Sequence, residues 1–112
     1  MTNRFNLKNK IAIITGGCGL LGEEHVLALI EKSCKVIVFD NDSIKIKKFK
    51  NKYSSNKNIF AEKVDVLDRT KLKKSLNKIV KKFAKIDILI NNIAFDYKPV
   101  NKKKYFLYKP KK

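Results

Sequence analysis

All four glycines of the chain fall within seven consecutive residues, and this cluster constrains the fold more than any other feature of the sequence. They are Gly16, Gly17, Gly19 and Gly22. An apolar β-branched run at residues 11–14 comes directly before them, and a helical pattern begins at Leu20. This order predicts a buried strand, a tight turn and a helix, with the glycines on the turn. Such a turn brings backbone N–H groups close to a phosphate.

The last three glycines have the spacing G-x-G-x-x-G, which is typical of dinucleotide-binding turns. One glycine makes the tight turn, one lets the backbone approach a pyrophosphate, and one lets the helix pack against the strand. The first amides of the helix add free donors and partial positive charge. The predicted cofactor-binding segment comprises Gly16, Gly17, Cys18, Gly19, Leu20, Leu21 and Gly22.

An acidic residue supports this interpretation. Asp40 ends a second apolar run, residues 36–39, and stands 18 positions after Gly22. In dinucleotide-binding folds an acid about twenty residues after the glycines accepts the ribose hydroxyls. Its carboxylate would repel a 2′-phosphate, and no arginine stands nearby to receive one. The sequence therefore favours NAD over NADP as the cofactor.

Strands and helices alternate along the chain. The patterns predict strands at residues 10–15, 35–40, 59–66 and 86–91, and helices at 20–32, after a cap within 41–43, and after Asp68. Short right-handed connections then predict an α/β fold, a partial doubly wound parallel sheet that is Rossmann-like with strand order 3-2-1-4. The first two helices share one face and the third covers the other. Strand four ends the sheet with an unpaired apolar edge. Self-association of the protein through that strand is therefore a further possibility.

Residues 10–40 resemble the opening unit of the short-chain dehydrogenases/reductases. Thr15 and three of the glycines fit the spacing T-G-x-x-G-x-x-G. Asp65 and Val66 resemble the family's adenine-contacting pair, and residues 87–94 (DILINNIA) resemble its Asn-Asn-Ala-Gly element. Ile93 and Ala94 depart from that element, so the asparagine pair is the matching part. The matching motifs follow the family's order over residues 7–97.

The resemblance implies an oxidoreductase that transfers a hydride between NAD(P) and an alcohol or carbonyl. It implies that the glycine turn holds the pyrophosphate, that Asp65 and Val66 contact adenine, and that Asn92 contacts the nicotinamide-side ribose. The family's catalytic Ser and Tyr-x-x-x-Lys follow later strands, and the three pairs with that spacing stand elsewhere: Tyr53 with Lys57, Tyr105 with Lys109, and Tyr108 with Lys112. We therefore expect a truncated, catalytically incomplete copy with no catalytic residue of its own.

The charge balance is extreme, with a formal net charge of +17. Only Arg4 and Arg69 among the 27 basic residues are arginines, although arginine is the residue that binds phosphate bidentately. The lysines are spread evenly along the chain among many Asn and Ile residues. This distribution is better explained by the residue usage of an AT-rich genome than by selection for a polyanion partner. Nonspecific, salt-sensitive binding to polyanions is still expected.

Two regions are predicted: a dinucleotide-binding half-Rossmann domain at residues 1–97 and a basic, disordered tail at 98–112. Aromatic residues alternate with lysines in the tail, so an alternative function is a small noncatalytic nucleotide- or nucleic-acid-binding protein that uses it. The tail could also lie on an acidic lipid surface.

Cysteine and histidine usage excludes other classes of site. Cys18 and Cys34 lack C-x-x-C spacing and an evident partner, so a disulfide framework is not expected. His25 is the only histidine and has no spaced companion, so no metal site is expected.

The N-terminus lacks an apolar signal core, and no apolar run approaches membrane-spanning length. These features predict a cytoplasmic protein without membrane insertion.

Overall fold

A computed structural model of the chain describes residues 6–92. It contains strands β1 (Ile11–Thr15), β2 (Lys35–Asp40), β3 (Ile59–Lys63) and β4 (Ile88–Asn91), and helices α1 (Leu20–Glu31), α2 (Ser43–Lys52) and α3 (Arg69–Phe83). Strands and helices alternate as predicted. The predicted boundary between residues 97 and 98, and the whole basic tail, lie outside the described residues.

The four strands form one parallel sheet in the order β3-β2-β1-β4. The predicted fold class and strand order are confirmed. β1 lies in the interior of the sheet and all five of its residues are buried, as its continuous apolar sequence requires. Because the strands are parallel, their carboxyl ends meet at one edge of the sheet. The glycine turn follows β1 at that edge, and Asp40 ends β2 there.

Each face of the sheet has its own apolar core. Alternate residues of β1 point to opposite faces: Ala12 and Ile14 join the core under α1 and α2, and Ile11 and Ile13 join the core under α3. Val26 of α1, Phe49 of α2 and Ile79 of α3 fill these cores. The predicted division of the helices between the two faces is therefore confirmed.

The helices begin and end where local chemistry predicts. Asp42 caps α2 by accepting hydrogen bonds from the amides of Ile44 and Lys45, and Asp68 caps α3 by accepting one from the amide of Lys71. Ser33, which follows α1, has φ 67°, a left-handed conformation that favours glycine.

Two strands are shorter than predicted. β3 ends at Lys63 rather than residue 66, because Asp65 closes a turn in which its Oδ1 accepts from the amide of Leu67 at 2.9 Å. β4 begins at Ile88 rather than residue 86, where pairing with Ala12 starts.

Candidate functional site

The turn after β1 is compact and is held by backbone contacts. The amide of Gly16 donates to the carbonyl of Phe39 at 2.7 Å, and the amide of Gly19 donates to the carbonyl of Gly16 at 3.3 Å. Gly16 has φ 68°, so it is the residue that makes the left-handed turn. It lies just before the G-x-G-x-x-G spacing.

Two other glycines are required by close packing. A Cβ on Gly22 would lie 2.3 Å from the carbonyl oxygen of Gly16 and 2.7 Å from Cα of Gly17. Both atoms belong to the backbone, so the start of α1 can approach the turn only without a side chain at position 22. A Cβ on Gly17 would lie 2.6 Å from Cγ1 of Val38, whereas one on Gly19 would meet only the Gly16 oxygen at 3.6 Å, an ordinary contact.

The first turn of α1 presents its amides without a side-chain cap. Gly19 is the N-cap residue. In the first intrahelical hydrogen bond, the amide of Glu23 donates to the carbonyl of Gly19 at 2.9 Å. An α-helix leaves its first N–H groups without intrahelical acceptors. At α2 and α3 an aspartate accepts from such groups, but at α1 no side chain within the described residues 6–92 does. Leu20 and Leu21, 85% and 62% exposed, leave this helix end open to solvent.

Asp40 lies beside the glycine turn. Its Oδ2 accepts from the amide of Cys18 at 3.3 Å, and its Oδ1 accepts from the amide of Asp42 at 3.0 Å. The carboxylate is half-buried. Burial, followed by the charge of Asp40, raises the pKa of the Cys18 thiol to about 12. The predicted ribose acid and the predicted phosphate turn are therefore direct neighbours.

The end of β4 is tied to the end of β1. The amide of Asn92 donates to both the carbonyl and the hydroxyl of Thr15, at 3.2 Å each, and Nδ2 of Asn92 donates to the Gly16 carbonyl at 3.5 Å. The Thr15 hydroxyl in turn donates to Oδ1 of Asn91. The structure thus brings the asparagine pair against the glycine turn. Sequence reasoning did not include Thr15 or Asn91 among the site residues, although both stand inside the matched motifs.

Val66 lines an apolar cleft of about 370 Å³ on the α3 face of the sheet. Thr15 and Asn91 are its polar lining residues, and the remaining lining is Ile13, Phe39, Leu67, Leu72, Leu76 and Leu89. Asp65 directly precedes Val66 and follows β3, where the amide of Val64 donates to the carbonyl of Asp40 at 3.0 Å. The predicted residues after β1, β2, β3 and β4 therefore all lie at the same edge of the sheet.

Tyr53 lies outside this site. It is the C-cap residue of α2, and its hydroxyl donates to the carboxylate of Glu23 on α1. No group of three or more potential metal ligands occurs within residues 6–92. None of the helices in the described region has the length and apolar character needed to cross a membrane.

The fold and the glycine turn together define an α/β protein of the Rossmann type. The chain matches the short chain dehydrogenase family over residues 10–106, and it belongs to that family. A short chain dehydrogenase/reductase of Gibberella zeae is 30% identical over 89 residues, which are 80% of this chain and 33% of that relative. The chain spans 33% to 54% of the length of the first curated relatives that it matches.

Solved structures have the same fold. The 3-ketoacyl-(acyl-carrier-protein) reductase of Brucella melitensis, complexed with NADH, superposes with a TM-score of 0.75 at 26% identity. The matched region is 87% of this chain and 39% of the reductase chain. The N-domain of a bacterial malonyl-CoA reductase with NADP gives a TM-score of 0.73 at 25% identity, over 80% of this chain and 17% of that one.

Proposed function

We propose that this chain binds a nicotinamide dinucleotide as the cofactor-binding part of a short-chain dehydrogenase/reductase. The observation that carries the proposal is the hydrogen bond between the Asp40 carboxylate and the amide of Cys18. A carboxylate can accept hydrogen bonds from ribose hydroxyls, and this one is next to a turn whose free amides suit a pyrophosphate. A dinucleotide has both groups next to each other, so a single ligand satisfies both halves of the site.

Each predicted residue has a role in this proposal. The backbone around the pyrophosphate comes from Gly16, Gly17, Cys18, Gly19, Leu20, Leu21 and Gly22. Asp40 accepts the hydroxyls of the adenosine ribose, and Asp65 and Val66 border the adenine. Asn92, held against Gly16, is assigned to the ribose on the nicotinamide side. When bound, the cofactor supplies the hydride acceptor or donor.

We further propose that NAD is preferred over NADP. The family uses both cofactors, and the two structural neighbours carry NADH and NADP respectively. The preference is supported by the position of the Asp40 carboxylate, whose Oδ2 lies 3.3 Å from the amide nitrogen of Cys18 in the glycine turn. A 2′-phosphate at that place would meet a like charge at close range.

Calorimetric titration of the full chain with NAD and with NADP tests this proposal. Binding of NAD to wild type should be saturable, and Asp40→Asn should weaken it by about tenfold or more, since hydrogen bonds to charged groups contribute about 1.5 to 3 kcal/mol. The same variant should reduce the preference for NAD over NADP. Equal NAD affinity in wild type and Asp40→Asn would contradict the assigned role of Asp40.

Hydride transfer needs groups that we do not assign within residues 6–92. Tyr53 is bonded to Glu23, and no other tyrosine among the described residues is followed four positions later by lysine. We therefore propose cofactor binding without turnover by these residues alone, and oxidation of an alcohol or reduction of a carbonyl only where a Ser and a Tyr-x-x-x-Lys segment are also present.

Cytoplasmic location, self-association through β4 and nonspecific polyanion binding stay predictions. No finding supports the alternative function that uses the basic tail.

A further inference from the structure

Glu23 is an acidic side chain in the first turn of α1, the helix whose amides open the proposed pyrophosphate site. A carboxylate at this position is unfavourable for a second anion, because two negative charges would share one helix end. Its partners in the structure come from α2. Oε2 of Glu23 accepts a hydrogen bond from the Tyr53 hydroxyl and forms an ion pair with Nζ of Lys52 at 2.9 Å.

The two partners hold the carboxylate firmly. The hydrogen bond from Tyr53, and next the one from Lys52, lower the pKa of Glu23, so it is ionised at neutral pH. The Tyr53 ring is fixed by the buried Phe49 ring, with centroids 4.8 Å apart. The Glu23 side chain is 22% exposed, against 61% for Lys52. We refer to Glu23, Tyr53 and Lys52 together as the Glu23 clamp.

The partners of Glu23 lie at the end of α2 that is farther from the carboxyl edge of the sheet. α2 begins just after β2, and Tyr53 and Lys52 lie at its far end. Side chains on a helix lean toward the helix N-terminus by default. An unclamped Glu23 would therefore lean toward the glycine turn. Even when clamped, its charge contributes to the raised pKa of the Cys18 thiol.

We propose that Tyr53 and Lys52 are positioning residues for the cofactor, which hold the Glu23 carboxylate away from the pyrophosphate and offset part of its charge. This inference rests on the proposed dinucleotide site. It assigns a role in cofactor affinity to two residues of α2 outside that site. The C-terminal end of α2 thus adjusts the electrostatic potential at the first turn of α1.

The test is a set of variants titrated with NAD, ADP and adenosine. Tyr53→Phe combined with Lys52→Met removes both partners while retaining most of the side-chain volume. Its affinity for NAD and ADP should fall about fivefold at low salt, and less at high salt, because charge repulsion is screened. Affinity for adenosine, which carries no phosphate, should not change.

Adding Glu23→Gln to that double variant is the control. If repulsion is the cause, the triple variant should recover wild-type affinity for NAD and ADP. A purely structural role would weaken adenosine binding as well and would not be rescued. The inference is overturned if the double variant binds ADP as wild type does, or if Glu23→Gln fails to restore binding in a folded triple variant. Absence of NAD binding by wild type would instead contradict the proposed function.

Discussion

The Thr15 hydroxyl donates a hydrogen bond of 2.6 Å to Oδ1 of Asn91, across the neighbouring ends of β1 and β4. The two residues are 76 positions apart in the chain. The same hydroxyl accepts from the amide of Asn92 at 3.2 Å. One threonine side chain therefore sets the position of both asparagines beside the glycine turn.

Thr15→Val should lower the free energy of unfolding by about 1 kcal/mol, the net value of a typical hydrogen bond. It keeps the β-branched shape and replaces the hydroxyl with a methyl group. Chemical denaturation monitored by circular dichroism measures the change. An unchanged free energy of unfolding in Thr15→Val would contradict a stabilising role for the hydrogen bond.

Gly22→Ala should destabilise the fold by about 2 to 3 kcal/mol, because its Cβ would overlap backbone atoms that cannot move independently. The Gly16 oxygen and Cα of Gly17 would be 2.3 and 2.7 Å away. Gly19→Ala should cost less than about 1 kcal/mol, since that Cβ meets only an ordinary contact and Gly19 has φ −78°. Similar unfolding free energies for the two variants would contradict this steric difference.

The fold was largely predictable because its determinants are local. β2 was placed at residues 35–40 from a run of apolar residues that are buried on both faces of the sheet. Asp68 was predicted as a cap from its position before the stripe of α3. Each of these features can be read from a few adjacent residues.

The site was less predictable because its contacts join distant segments. The Thr15 to Asn91 bond and the Glu23 to Tyr53 bond connect residues 76 and 30 positions apart, and no periodic pattern reports such pairs. The spacing also did not indicate that Gly16 would adopt the positive φ. β3 was overestimated because the alternation of side chains continues to Val66, whereas the Asp65 turn ends the pairing.

Cys18 should react slowly with iodoacetamide at about pH 8, because its pKa of about 12 leaves little thiolate. Cys34→Ser provides a background in which Cys18 is the only cysteine. Asp40→Asn in that background should accelerate alkylation, as measured by mass spectrometry, since the Asp40 charge is the second cause of the shift after burial. If Cys18 of the folded protein reacted as fast as a free cysteine, the assigned environment of the turn would be wrong.

Asp87 should contribute to acid sensitivity. Its carboxylate accepts from the amide of Ile11 at 2.8 Å and pairs with Lys85 at 3.2 Å, and the Ile11 contact is the main reason that its pKa lies below the ordinary value of 3.8. A lowered pKa in the folded state gives stability that is present above 3.8 and is lost as the pH falls through the folded value.

Asp87→Asn should therefore lose less unfolding free energy than wild type between about pH 6 and about pH 3. Urea denaturation at both pH values measures the difference. Other carboxylates, including Glu23, keep some acid sensitivity in the variant. Identical pH dependence in the two proteins would contradict the contribution of Asp87.

Amide chemical shifts recorded during titration of the full chain with NAD are the decisive measurement of cofactor binding at the glycine turn, because they locate the ligand on the backbone. We expect saturable shifts concentrated at residues 16–22, with smaller ones at Asp40, Asp65, Val66 and Asn92. NAD that causes no saturable shift at the glycine turn, or that perturbs only the lysine-rich surface of α3, would contradict it.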